Sequence, residues 1–127
     1  MAHFKALMTA LYPTADLAKA KAWYAELFGV QPYFDQPFYV GFDVGGYELG
    51  LLPAEPPLHT PGNLGAVAYW GVDDCAASHA RALSLGAKEL SPVQDVGEGI
   101  KVSTVADPEG NAVGIIENPH FKPAEVR

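Results

Sequence analysis

Glu48 is a carboxylate set among apolar residues, in the run YELGLL over positions 47–52. Just ahead of it, Gly45-Gly46 is a two-residue hairpin signal that folds Phe38–Val44 back against Tyr47–Leu52. That hairpin sets Glu48 opposite Asp43, Gly50 opposite Gly41 and Leu52 opposite Tyr39. Opposed residues share a face, so Tyr39, Asp43 and Glu48 are expected together, with Phe38, Val40 and Phe42 on the other side. A carboxylate in an apolar setting is expected to have a raised pKa, and so to serve as an acid/base or to hold a cation. The plainer reading is a solvated carboxylate near a strand end.

The other reactive groups form no constellation. His3, His59, His79 and His120 are scattered through the chain. His79 falls in the middle of a helix, and His3 lies roughly 20 Å along a strand from position 9. Cys75 is the single cysteine and falls in a first helical turn, where the helix dipole can lower a thiol pKa. No base stands near it in sequence, so it reads as a small packing residue. There is no phosphate-binding glycine loop, no dinucleotide fingerprint, no CxxC and no Ser-His-Asp spacing.

The elements that must position these groups occur twice. Leu7 to Gly29 reads strand, Asp, helix, Gly, and so does Ala66 to Gly86. Asp16 precedes Gly29 by thirteen positions, as Asp73 precedes Gly86. Asp43, Gly46, Gly50 and Leu51 match Asp107, Gly110, Gly114 and Ile115, each sixty-four positions on. Such a repeat predicts two βαβββ modules, an α+β fold. The modules are expected over 4–53 and 65–118, within one domain spanning 1–127, with a Pro-rich linker at 54–64 and a surface tail at 119–127.

In the first module a strand is expected over 4–12, with Ala6, Met8 and Ala10 under a helix capped by Asp16 and ended by Gly29. Strands follow near Gln31–Phe34, Phe38–Val44 and Tyr47–Leu52. In the second module a strand over Ala66–Val72 leads to a helix capped by Asp73, with Ala76, Ala80 and Leu83 inward. Strands follow near Lys88–Leu90, Ile100–Ala106 and Asn111–Glu117. Asp107-Pro108-Glu109-Gly110 is a turn by its Pro and Gly positions.

Bulk properties exclude several classes. A chain of 127 residues, 49% hydrophobic and 18% charged, has the make-up of a globular domain. A formal charge of −7 argues against a nucleic-acid partner, which needs clustered Lys and Arg. No apolar run is long enough to cross a bilayer, so no membrane partner is expected. With one cysteine and no signal-peptide pattern at the N-terminus, the cytoplasm is the expected compartment.

The segments DLAKAKAWYAELFGV (16–30), GVDDCAASHARALSLGA (71–87) and DPEGNAVGIIE (107–117), with the repeat, resemble the vicinal oxygen chelate superfamily. That group holds glyoxalase I, extradiol dioxygenases, methylmalonyl-CoA epimerase and the fosfomycin- and bleomycin-resistance proteins. The resemblance implies two paired βαβββ modules forming a U-shaped cleft, commonly in a homodimer. Metal-using members place His, Gln or Glu ligands on the first and last strand of each module. Carried onto this chain, those places are Thr9, Val67, Gly114, and either Gly50 or Glu48. Val67 and Gly114 offer no side-chain donor, so no metal or other cofactor is expected there.

If Thr9, Val67 and Gly114 face the cleft, alternation brings Leu7, Leu11, Tyr69, Ala112 and Ile116 with them. Tyr39 and Asp43 join through the hairpin. In residues 100–106 two registers stay open, Ser103 with Lys101 or Thr104 with Val102. Gly41, Gly50 and Gly114 leave room in the cleft or mark strand bulges.

Two functions fit. One is metal-independent binding of a small organic molecule, anchored by Leu7, Thr9, Leu11, Tyr39, Asp43, Val67, Tyr69 and Ile116. The other is a lyase, isomerase or dioxygenase acting on a small carbonyl or aromatic substrate, with Glu48 as catalytic acid/base or metal ligand. The second also needs an enolate stabiliser, for which only Lys101 or backbone amides could serve. Binding is the favoured expectation.

Overall fold

The computed structural model describes His3 and residues 6–121, and divides into two compact units after Thr60. In the first unit the order is β1 (Thr9–Thr14), α1 (Leu17–Phe28), β2 (Phe34–Gln36), β3 (Tyr39–Val44) and β4 (Tyr47–Pro53). The second repeats it with β5 (Ala68–Gly71), α2 (Cys75–Ser84), β6 (Lys88–Asp95), β7 (Lys101–Ala106) and β8 (Ala112–Glu117). The sheets are ordered β1-β4-β3-β2 and β5-β8-β7-β6. In each, the first and last strands pair parallel and the other pairs are antiparallel. The α+β fold of two βαβββ modules expected from the repeat is therefore present.

Local chemistry explains the first module. The Asp16 carboxylate accepts from the Lys19 amide at 3.1 Å and starts α1; Gly29, at φ +69°, ends it by donating to Ala25 at 2.9 Å. Gly45 and Gly46 both have positive φ, as a type I′ hairpin requires. The inward face of the sheet carries Tyr12, Val40, Phe42, Leu49 and Leu51, all buried under α1. Tyr24 of α1 stacks on Tyr12 with centroids 5.3 Å apart. Each such side chain contributes about 1.5–3 kcal/mol by leaving water.

The first strand begins later than expected. Positions 4 and 5 lie outside the described residues, and Ala6 and Met8 precede β1 and are exposed. The helix-facing parity survives, but Tyr12 and Thr14 supply the contact instead. Phe38 was expected to face the helix; it sits in the turn before β3, exposed, against Phe34.

In the second module the helix cap is Asp74, not Asp73. Its side chain accepts from the Ala77 amide at 3.0 Å. The inward stripe is Cys75, His79 and Ala82, where the Cys75 thiol and the His79 imidazole both meet Ser103 of the sheet, while Ala76 and Ala80 are exposed and Leu83 is 38% exposed. Asp74→Ala should cost about 1 kcal/mol of stability in a urea titration, and Asp73→Ala much less. Equal losses would contradict this cap assignment. The Asp107 turn is held from within: its carboxylate accepts from the amides of Glu109 and Asn111 and from the Asn111 side chain.

Candidate functional site

The face of the first sheet opposite α1 carries a polar cluster centred on Glu48. The parallel register of β1 and β4 puts Thr9 beside Glu48, and Leu11 beside Gly50. Glu48, not Gly50, is therefore the neighbour of Thr9. Glu48 Oε1 accepts from the Thr9 hydroxyl and the Tyr39 hydroxyl, each at 2.9 Å, and Oε2 accepts from the Tyr33 hydroxyl. Asp43 is the cross-strand partner of Glu48, exposed, and accepts from the Gly46 amide at 2.8 Å.

Two glycines make this cluster possible. A Cβ on Gly41 would lie 2.7 Å from Glu48 Oε2 and 3.1 Å from the Tyr33 ring. A Cβ on Gly50 would lie 2.1 Å from the Tyr39 hydroxyl oxygen and 2.9 Å from Leu11. Gly41 and Gly50 neither open a void nor mark a bulge. They are the floor on which two phenols lie flat enough to reach one carboxylate.

The electrostatics differ from the expectation of a raised carboxylate. Desolvation does push Glu48 upward, but the hydrogen bonds from Tyr33, Tyr39 and Thr9 together outweigh it and hold the carboxyl below its ordinary value. The phenols respond in the opposite sense. Tyr39 is raised well above the usual phenol value by desolvation and by its bond to Glu48. Tyr33 is raised chiefly by its own bond to Glu48. The cluster is thus an ionised carboxylate ringed by protonated hydroxyls.

Tyr33 and Phe34 are the residues that strand reasoning missed. Phe34 pairs with Gly41 and packs its ring against Tyr39 and Phe38, with centroids 6.1 Å apart in both contacts. Tyr33 precedes β2, and alternation from Phe34 would send it to the helix side. Only its position outside the regular strand lets it turn over Gly41. Leu11 is 44% exposed beside Tyr39, whereas Leu7, 73% exposed, lies ahead of β1 and outside the cluster.

The second module carries a different surface. Matching Gly50 to Gly114, the counterparts of Thr9, Tyr39 and Glu48 are Val67, Val102 and Ala112. The polar cluster is built once, not twice. Tyr69 pairs with Gly114, and its ring covers that glycine: a Cβ there would meet Tyr69 Cδ2 at 2.6 Å. Thr104 pairs with Gly114 and Val102 with Ile116, so these share the face of Tyr69, and Ile116 is half-buried on it. Ser103 is buried beneath α2 instead, and Lys101 shares its strand parity, leaving no Lys101 to stabilise an enolate on the open face. Val67 lies just ahead of β5.

The donor set does not fit the metal that the resemblance would imply. Thr9 and Glu48 bond to each other, and their counterparts in the second module are apolar. Among the described residues no three His, Cys, Asp or Glu side chains gather as a metal site requires. Cys75 is fully buried, its thiol 3.8 Å from Ser103 Oγ and from the Ile115 carbonyl, which fits packing and not reactivity. Among the described residues no helix is long and apolar enough to cross a membrane.

Comparison with known proteins bears on this geometry. A glyoxalase-related enzyme from Fulvimarina pelagi superposes with a TM-score of 0.80 at 21% identity, covering 95% of this chain and 94% of that one. A lactoylglutathione lyase from Agrobacterium tumefaciens superposes at 0.72 and 22% identity, covering 92% and 98%. TioX from Micromonospora sp. ML1 gives 0.67 and 22%, covering 91% and 98%. At these identities the likeness is one of fold. No curated protein matches the chain. The family model described as Glyoxalase/Bleomycin resistance protein/Dioxygenase superfamily matches residues 3–115, and the chain belongs to that superfamily.

Proposed function

We propose that the protein binds a small organic molecule without a metal, on the face of the first sheet that carries Thr9, Leu11, Tyr33, Tyr39 and Glu48. The observation behind this reading is the commitment of Glu48. Both of its oxygens accept from hydroxyl donors within its own module. A ligating carboxylate needs partner donors, and among the described residues no three His, Cys, Asp or Glu side chains gather, whereas a binding face needs aromatic walls and a few fixed polar groups. The same commitment weakens the acid/base alternative, because hydroxyl donors that lower a carboxyl pKa make it a poorer proton acceptor.

Elemental analysis of protein purified without chelator should find Ni, Zn, Fe and Mn substoichiometric, and EDTA should leave ligand-induced thermal shifts unchanged. The lactoylglutathione lyase likeness is tested by supplying the hemithioacetal of methylglyoxal and glutathione, for which no turnover is expected. A stoichiometric metal lost in Glu48→Ala, or turnover lost in Glu48→Gln, would replace binding with catalysis. The reading also takes the working unit to be a homodimer, on the family's pattern; light scattering that shows only monomer at high concentration counts against that part.

A further inference from the structure

We infer that the ligand taken on this face carries a positive charge: an organic ammonium with an aromatic or apolar body, its charge against Glu48 and the Tyr33 and Tyr39 rings. This rests on the metal-free binding reading above and names the ligand class that reading leaves open.

A hydroxyl has one hydrogen to give, and those of Thr9, Tyr33 and Tyr39 all go to Glu48. What these side chains still present outward is lone pairs. The carboxylate is acceptor-only as well, and Asp43, its neighbour across the hairpin, spends Oδ1 accepting from a backbone amide. The cluster's side chains therefore have no donor left for a ligand. A molecule that binds here must bring donors or a positive charge of its own.

Charge points the same way. The only lysines among the described residues of the first unit are Lys19 and Lys21. Both belong to α1, on the opposite side of the sheet, and Lys21 is paired with Asp35 at 3.0 Å. Residues 1–60 contain no arginine. Glu48 is thus a half-buried carboxylate whose partners are neutral hydroxyls, with a second carboxylate beside it. An anionic ligand would meet two like charges and a ring of lone pairs. The phenols do not relieve this by ionising, since both hold their protons more firmly than an ordinary tyrosine.

The walls suit a cation with an apolar body. Tyr33 is 63% exposed, and Phe34, Phe38 and Leu11 add apolar surface around Tyr39. Aromatic faces attract ammonium groups, and a carboxylate within reach adds a charge-assisted hydrogen bond. Small metal ions fit less well, because among the described residues no three His, Cys, Asp or Glu side chains gather to complete a site.

The test compares three probes of one shape: phenethylammonium, neutral 2-phenylethanol and anionic 3-phenylpropionate. Binding is followed by tyrosine ring NMR shifts and calorimetry with EDTA present. Phenethylammonium should bind at least about tenfold more tightly than the alcohol, with the anion weakest. Added salt should shrink the advantage, and Glu48→Gln should remove it. Tyr39→Phe, which keeps the ring, should retain part of it. Equal affinities, a preference for the anion, no shift with any probe, or a preference that survives Glu48→Gln would each overturn the inference. Equal affinities with EDTA present would still leave metal-free binding standing. That broader reading fails separately, if EDTA abolishes binding or a bound compound is converted.

Discussion

Gly50→Ala should detach Tyr39 from Glu48 while leaving the fold nearly intact. The added methyl would sit 2.1 Å from the Tyr39 oxygen, 2.8 Å from its Cζ and 2.9 Å from Leu11 Cδ2. Carbon contacts settle at about 3.5–4.0 Å, so something must move. The atoms met are the tips of side chains on an open face, and the ring can swing outward. The stability cost should therefore stay at about 1–2 kcal/mol, the low range for overpacking. The site should lose more. Tyr39 forfeits its 2.9 Å bond to Glu48, and affinity for phenethylammonium should fall about tenfold.

The same variant has a signature in alkaline titration. Tyr39 is raised above its unfolded value, first by desolvation and then by Glu48. A raised tyrosine contributes stability that is full below about pH 10 and is lost as pH climbs through the folded value. Freed from Glu48, Tyr39 should ionise at lower pH, and the phenolate absorbance at alkaline pH should appear earlier. Gly62→Ala, with nothing within 4 Å of the new methyl, is the control. Unchanged affinity together with an unchanged phenolate titration would show that Gly50 does not seat Tyr39.

The Gly45-Gly46 hairpin fixed the β3–β4 register, and with it the shared face of Tyr39, Asp43 and Glu48. Period-two alternation and a tight turn leave little freedom there. Tyr33 was out of reach for the complementary reason. It stands outside a strand, where no periodicity governs its direction, and its placement depends on Gly41 being bare. The sign of the Glu48 shift was lost with it, since apolar neighbours were visible in sequence and the third hydroxyl donor was not. In α2, two adjacent aspartates offer two caps, and an alanine-rich helix marks no inward face by size, so the polar His79 was not legible as an inward residue.

His79→Ala should destabilise the protein by about 3 kcal/mol, among the largest effects of any single polar substitution in the second module. The imidazole is 6% exposed and lies between the helix and the sheet, with Nδ1 2.8 Å from Ser103 Oγ and Nε2 2.7 Å from Glu89 Oε1. Removing the ring leaves a cavity beside Cys75 and Ser103, both fully buried. It also strips Ser103 of its nearest strong partner, leaving a thiol 3.8 Å away. An unmet buried hydroxyl costs about 1–3 kcal/mol by itself. The ion-pair component should be minor: the Glu89 side chain is 45% exposed, and Glu89→Gln should change stability by less than about 1 kcal/mol. Ser103→Ala should recover part of the loss when combined with His79→Ala, because it removes the orphaned hydroxyl, and a double-mutant cycle in urea measures that recovery. A His79→Ala loss under about 1 kcal/mol, or strict additivity with Ser103→Ala, would mean that the buried network is incidental to the second module's core.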